Sequence, residues 1–170
     1  MQEILLVDGY NVIHAWPELK RIAEESLEEA RHVLIDMMQD FQGYKGCRLI
    51  VVFDAHMIQR GQGKEETAGG VEVVYTKENE TADHYIERFV DGIPKNIHVM
   101  VATSDFLQQT IVMSRGAVRI SARELLDQVK HFRKKIGREY LDQVKAKSNP
   151  LEGWASPEVA EVLERWRKQR

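Results

Sequence analysis

The amino-acid sequence predicts an α/β fold in which helices flank a largely parallel sheet and a helical C-terminal tail follows. Three observations carry this prediction. Apolar runs such as Ile4–Val7 and Leu49–Phe53 are short and continuous, as strands covered on both faces require. Helical periodicities separate them, and strands joined through helices lie parallel with right-handed crossovers. Acidic residues stand just beyond four of the runs, at the edge where open α/β sheets bind ligands.

Taken in order, the first strand is expected over Ile4–Val7. Asp8, Gly9 and Asn11 follow it, and these residue types favour a turn or, at a strand end, a site. Ser26 with Glu29 forms a capping-box signature; Leu27, Ala30, Leu34, Met37 or Met38, and Phe41 continue at helical spacing until Gly43 stops the segment. A second strand is expected over Leu49–Phe53. The stretch from His56 to Gly70 contains four glycines without periodicity and reads as a long exposed loop. A third strand over Val71–Tyr75, a helix over Asp83–Val90, a fourth strand over Ile97–Ala102, a helix over Phe106–Met113 and a fifth strand over Val118–Ile120 complete the sheet. Ser121 with Glu124 opens a long helix to about Lys147, which Asn149-Pro150 should end. Ser156-Pro157 then begins a final helix with Val159, Val162, Leu163 and Trp166 as its apolar stripe. Residues 1–122 thus read as the sheet domain and residues 123–170 as a basic helical extension packed on it.

With 170 residues, 43% hydrophobic and 30% charged, the chain reads as a globular protein able to bury one substantial core. No apolar run approaches a membrane span, and Ile4–Val7 is too short for the core of a signal peptide, so a cytoplasmic protein without membrane contact is expected; a monomer is expected as well. The lone Cys47 excludes an internal disulfide and reads as a small buried hydrophobe. Net charge is only −3, but residues 121–170 carry 12 Lys/Arg against 8 Asp/Glu, whereas residues 1–120 carry 12 against 19. An acidic body therefore bears a basic tail.

The candidate site is built from the strand-end acids. Asp8 follows the first strand, Asp54 the second, Glu80 and Asp83 the third, and Asp105 the fourth. In a parallel sheet these ends share one edge, where clustered carboxylates raise each other's pKa unless a cation neutralises them. A hard divalent ion is the natural partner. Helix chemistry competes as an explanation: acids near a helix N-terminus complement its dipole, and Thr103 or Ser104 could cap the following helix. The Ser104 hydroxyl could equally orient a phosphate. Gly61-Gln62-Gly63-Lys64 resembles the end of a phosphate loop but lacks its first glycine, with Ile58 in that place, and has Glu65 where a hydroxyl belongs. His14, His56 and His84 show no short metal-ligand spacing, and no nucleophilic triad is recognisable.

Read in order, LLVDGYN, VVFDAH, TKENETAD and VATSD resemble the motifs of the NYN-domain ribonucleases, relatives of the PIN domain, in their YacP branch. The resemblance runs from about residue 3 through SARELL and onward. It implies a PIN-like nuclease domain over residues 1–122 and divalent-metal-dependent endonucleolytic cleavage of RNA. By position it implies Asp8, Glu80, Asp83 and Asp105 as the acidic catalytic set, with Asp8 and Asp83 ligating Mg²⁺ or Mn²⁺ and Asp105 as a further metal ligand. Asn11 matches the family's asparagine and Asp54 its acid after the second strand; with Ser104, for its hydroxyl, and Lys77, for its charge, they are the expected substrate-side residues. A member of this branch cuts messenger RNA in the ribosomal A site, which implies mRNA and the ribosome as partners.

A carboxylate-held metal fits phosphodiester hydrolysis by activated water, which leaves 5′-phosphate ends. An acidic site repels RNA, so attraction is expected from Arg60, Lys64, Lys77 and the basic segment Lys130–Lys147, where seven Lys/Arg face Glu139 and Asp142. Two alternatives share parts of the pattern. One is a non-catalytic RNA- or ribosome-binding module; the other is a Mg²⁺-dependent phosphoacceptor domain with Asp54 as its receiver, which leaves Glu80, Asp83 and the tail without a role.

Overall fold

The computed structural model describes residues 2–55 and 64–152, with residues 164, 165 and 168 beyond them. Contacts divide the chain into two compact units, residues 1–130 and 131–170. The first unit is a six-stranded sheet formed by β1 (Glu3–Asp8), β2 (Arg48–Phe53), β3 (Lys64–Ala68), β4 (Val71–Tyr75), β5 (His98–Ala102) and β6 (Val118–Ile120). The strands lie side by side as β3-β4-β2-β1-β5-β6. Every neighbouring pair is parallel except β3 with β4.

Both faces of the sheet are covered. Ile4, Leu6, Ile50, Val52, Val74, Val99 and Val101 bury against α4 (Ala82–Gly92) and α5 (Phe106–Ser114) through Ala82, Ile86, Val90 and Val112. The intervening Leu5, Val7, Leu49, Val51, Phe53 and Val73 are equally buried and project to the opposite face. There they meet α1 (Gly9–Ala15) and α3 (Leu27–Lys45), which α2 (Pro17–Glu25) links. This double coverage is why the strands read as unbroken apolar runs.

Three expectations need correction. Lys64–Ala68 is a strand, although it lies in the segment expected to be a loop. It is an exposed edge strand without an apolar face, so it shows no alternation; the signal for it was Gly69-Gly70, whose φ values of 52 and 90 fit a tight hairpin turn. Residues 56–63, the remainder of that loop, lie outside the described residues. Next, Gly9 begins a helix immediately after β1, so Asp8 and Gly9 do not form a simple turn, and Pro17 opens α2 at its first position. Finally, α3 passes Gly43 and ends at Gly46, whose φ of 69 supplies the left-handed cap.

Of the two expected capping boxes, the one at Ser121 is complete and the one at Ser26 forms only its forward half, because Ser26 N donates back to Ile22 O at 2.9 Å. Glu29 N donates to Ser26 Oγ at 3.2 Å at the start of α3. Ahead of α6 (Ala122–Glu152), Glu124 N donates to Ser121 Oγ at 3.0 Å while Ser121 N donates to Glu124 Oε2 at 2.7 Å. The α6 helix runs to Glu152, past the expected stop at Asn149-Pro150. Pro150 falls in its last turn, where the missing N–H removes one helical hydrogen bond. The final helix expected from Ser156 falls almost wholly outside the described residues. Cys47 is buried, and burial raises its thiol pKa, as expected of a packing residue. In the second unit, Arg133, Lys134, Lys135 and Arg138 are exposed. Among the described residues no helix is long and apolar enough to cross a membrane.

The connections position the site. The chain leaves β1 toward β2 over the face carrying α1–α3, and later crosses from β4 to β5 over the opposite face through α4. That reversal places a topological switch between β1 and β5, and opens a crevice at their carboxyl ends.

Candidate functional site

Asp8 closes β1 at this switch and is only 8% exposed. Gly9 is fixed by packing: a Cβ there would stand 2.3 Å from Phe53 Cε1. The absent side chain lets α1 start flush against the end of β2, which holds the Asp8 carboxyl in a confined position. Its pKa is pushed up to about 7, first by burial, then by the charge of Asp83, with Asp105 and Asp54 adding and the Asn11 backbone N–H opposing.

Asp83 lies in the first turn of α4, where Thr81 Oγ1 caps the helix by accepting from His84 N at 3.2 Å. Burial raises the Asp83 pKa; the charges of Asp105, Glu87 and Asp54 raise it further, and His84 opposes them. Asp54 follows β2, and its connection is pinned to the end of β4: Ala55 N donates to Thr76 Oγ1 at 2.9 Å and Thr76 N to Phe53 O at 3.0 Å. The structure therefore brings Asp8, Asp54, Asp83 and Asp105 into one electrostatic cluster.

Asp105 also carries the helix cap expected of Thr103 or Ser104. Its Oδ1 accepts from Gln108 N at 3.1 Å, and its own N donates to Thr103 Oγ1 at 3.1 Å. Ser104 faces elsewhere: its N donates to Asn11 Oδ1 at 2.5 Å and its Oγ accepts from Ala122 N at 3.4 Å. Asn11 thus ties α1 to the connection after β5, approaching Asp8 through its backbone rather than its carboxamide. Trp16 Nε1 donates to Ala122 O at 2.6 Å, adding a second tie between the first helices and the start of α6.

Glu80 and Lys77 are placed apart from the cluster. Glu80 precedes the N-cap of α4, so it does not share a helical turn with Asp83. Its Oε1 lies 2.8 Å from Arg88 Nη2. With the exposed Lys77 it lines a cavity of about 160 Å³ beside Tyr75 and Tyr85. Glu80→Gln is accordingly expected to leave RNA cleavage within about threefold of wild type, a modest change beside the loss typical of a removed catalytic group; single-turnover cleavage rates check this. Tyr10 and Arg31 meet on the α3 side of the sheet edge without a signature in the sequence, since an arginine on an amphipathic helix carries none locally. His84, which has no metal-ligand spacing, adjoins Asp83 and acts on it.

A parallel sheet with an acid-lined switch point defines a class: α/β domains whose chemistry is organised around clustered carboxylates. Within that class the chain belongs to the YacP-like NYN domain family, whose model matches residues 5–168. It is 46% identical to the protein YacP of Bacillus subtilis (strain 168) over 169 residues, 98% of this chain and 97% of that one. The fold is similar to the crystal structure of Rae1 (YacP) from Bacillus subtilis, with a TM-score of 0.73 and 44% identity over 97% of this chain and 94% of that chain. The crystal structure of a tryptophan-to-leucine mutant of the same relative gives a TM-score of 0.72 with 42% identity, over 97% of this chain and 99% of that chain. Family membership supports a nuclease-type, RNA-related function.

Among the described residues, no three His, Cys, Asp or Glu side chains stand close enough together to hold a metal ion as they are placed. In chemistry the donors still fit a hard cation. The charges of Asp54, Asp83 and Asp105 act on the buried Asp8, and Asp105, though it caps α5 through Oδ1, is exposed and has a second carboxylate oxygen.

Proposed function

We propose that the protein is a divalent-metal-dependent endoribonuclease that hydrolyses phosphodiester bonds at the β1/β5 crevice and acts on messenger RNA in the ribosomal A site. The observation that carries this reading is the buried Asp8 carboxyl with Asp83, Asp105 and Asp54 acting on it, in a chain of the NYN family. Asp8, Asp83 and Asp105 would hold Mg²⁺ or Mn²⁺, with Asp105 exchanging its Gln108 bond for the ion. The bound ion would supply charge neutralisation at the phosphate and acidify a water. Asp54, whose charge reaches both Asp8 and Asp83, would accept the proton of the attacking water, and Asn11 keeps the Ser104 connection in place. The Ser104 hydroxyl, already an acceptor from Ala122 N, keeps its own hydrogen for a phosphate oxygen. A metal titration tests the reading: RNA cleavage by the purified chain should rise with millimolar Mg²⁺ or Mn²⁺ and vanish on chelation, whereas undiminished cleavage in chelator contradicts it.

The exposed basic residues of α6 supply what an acidic crevice lacks, an attraction for phosphate-rich RNA. Reversing Lys134, Lys135 and Arg138 to Glu is expected to weaken ribosome association at least tenfold and to flatten its salt dependence, because phosphate contacts release counterions. Cosedimentation with ribosomes across a salt series checks this; equal binding at every salt concentration removes the segment from the mechanism.

A further inference from the structure

A polyanion held at an acidic edge needs a fixed cation close by. On the α3 side of this edge, the partly buried Arg31 donates through Nη1 to the Tyr10 hydroxyl at 3.2 Å. It forms no ion pair with any described residue, whereas Lys64, Arg48 and Arg88, elsewhere on the first unit, are matched by Glu66, Glu72 and Glu80.

Its position is set by a row of rings. The Tyr10 ring centroid lies 5.1 Å from that of Phe53, and Phe53 lies 5.8 Å from Tyr75. Phe53 ends β2 immediately before Asp54, Tyr75 ends β4, and Tyr10 stands two residues after Asp8. The Arg31 charge acts on both Tyr10 and Tyr75. The charge of Asp54, which follows Phe53, acts on Tyr10 and also on Asp8 and Asp83. Among the described residues the one hydrogen-bond acceptor of Arg31 is the Tyr10 hydroxyl, and the rest of the guanidinium presents a planar fork of donors suited to a phosphate. Because Tyr10 already orders the side chain, less conformational entropy is lost on binding.

We infer that Arg31, oriented by Tyr10, is a phosphate-binding residue that seats the RNA backbone beside the acidic crevice. This rests on the nuclease reading and adds a residue to its substrate track. Arg31 binds substrate; Tyr10 is a positioning residue.

The test uses the full chain and a single-stranded RNA, free and ribosome-bound. Cleavage kinetics are measured in Mg²⁺ or Mn²⁺, and binding across a salt series is measured in an Asp8→Asn background. Arg31→Ala is expected to raise KM about tenfold with kcat within about twofold, and to reduce the slope of log affinity against log salt by about 0.7, the share of one single-strand phosphate contact. Arg31→Lys keeps the charge but not the fork and should recover part of the KM loss with the full salt slope. Tyr10→Phe keeps the ring and should raise KM about threefold without altering that slope. If wild type cuts RNA and Arg31→Ala matches it in KM and salt slope, the Arg31 assignment is overturned while the nuclease reading stands. A wild-type protein that neither binds nor cuts RNA overturns the nuclease reading, and this inference with it.

Discussion

Replacing Asp8 with asparagine is expected to lower RNA cleavage by two or more orders of magnitude while stabilising the metal-free protein at neutral and alkaline pH. The first effect is the size expected when a catalytic group is lost. The second follows from burial. The Asp8 carboxyl ionises near 7 in the folded chain against 3.8 for the unperturbed group. Below about pH 4 it is protonated in both states and exerts no penalty. Between 4 and 7 the unfolded chain ionises first, so stability falls as pH rises, and above 7 the loss is complete at about 4 kcal/mol. The carboxamide of the variant cannot ionise and escapes that loss. Thermal melts of the two metal-free proteins should coincide most closely near pH 4 and diverge steadily toward pH 8, with the variant higher. Added Mg²⁺ should stabilise wild type more than the variant, because a ligand that binds only the folded state raises its melting temperature. A gap that does not change with pH would place the Asp8 carboxyl in water rather than in a confined acid cluster.

Gly9→Ala should be the most damaging single methyl that can be added near the site. Its Cβ would fall 2.3 Å from Phe53 Cε1 and 2.5 Å from Cδ1, far inside contact distance. Phe53 is fully buried and packed against Tyr10 and Tyr75, so neither ring nor helix can yield cheaply. Overpacking of this kind costs about 3 kcal/mol, or roughly 8 °C of melting temperature in a domain of this size. The strain also moves Asp8, one residue away, so cleavage should fall with stability. A double-mutant cycle with Phe53→Leu isolates the contact. If the two substitutions act additively on stability, the clash is not the cause; a double variant more stable than Gly9→Ala alone supports it.

Much of the architecture was legible because burial imposes pattern. Leu5 and Leu6 face opposite layers, so doubly covered strands announce themselves as unbroken apolar runs, and Ser121 with Glu124 forms the reciprocal cap its spacing implies. What escaped was local structure without a core face. The polar edge strand Lys64–Ala68 has no alternation to read, and α1 is a seven-residue helix whose first residues favour turns in isolation. Strand-end position located Asp8, Asp54, Asp83 and Asp105, but spacing alone misled at Glu80. Its separation of three from Asp83 implied one helical face, whereas the helix begins only after Thr81 and the carboxylate turns to Arg88. Arg31 was invisible for a different reason. Its partner Tyr10 is 21 residues away, and only the packing of α1 against α3 brings them together.

The most direct measurement is the chemistry of the 5′ ends that appear when the purified protein acts on translating ribosomes and on free RNA. Attack by an activated water leaves 5′-phosphate, so a ligase requiring that group should capture new ends made by wild type in Mg²⁺ or Mn²⁺. It should capture none above background from Asp8→Asn or in chelator. Products bearing 5′-hydroxyl with cyclic phosphate, or ends that persist in chelator, would contradict a carboxylate-held metal at this sheet edge.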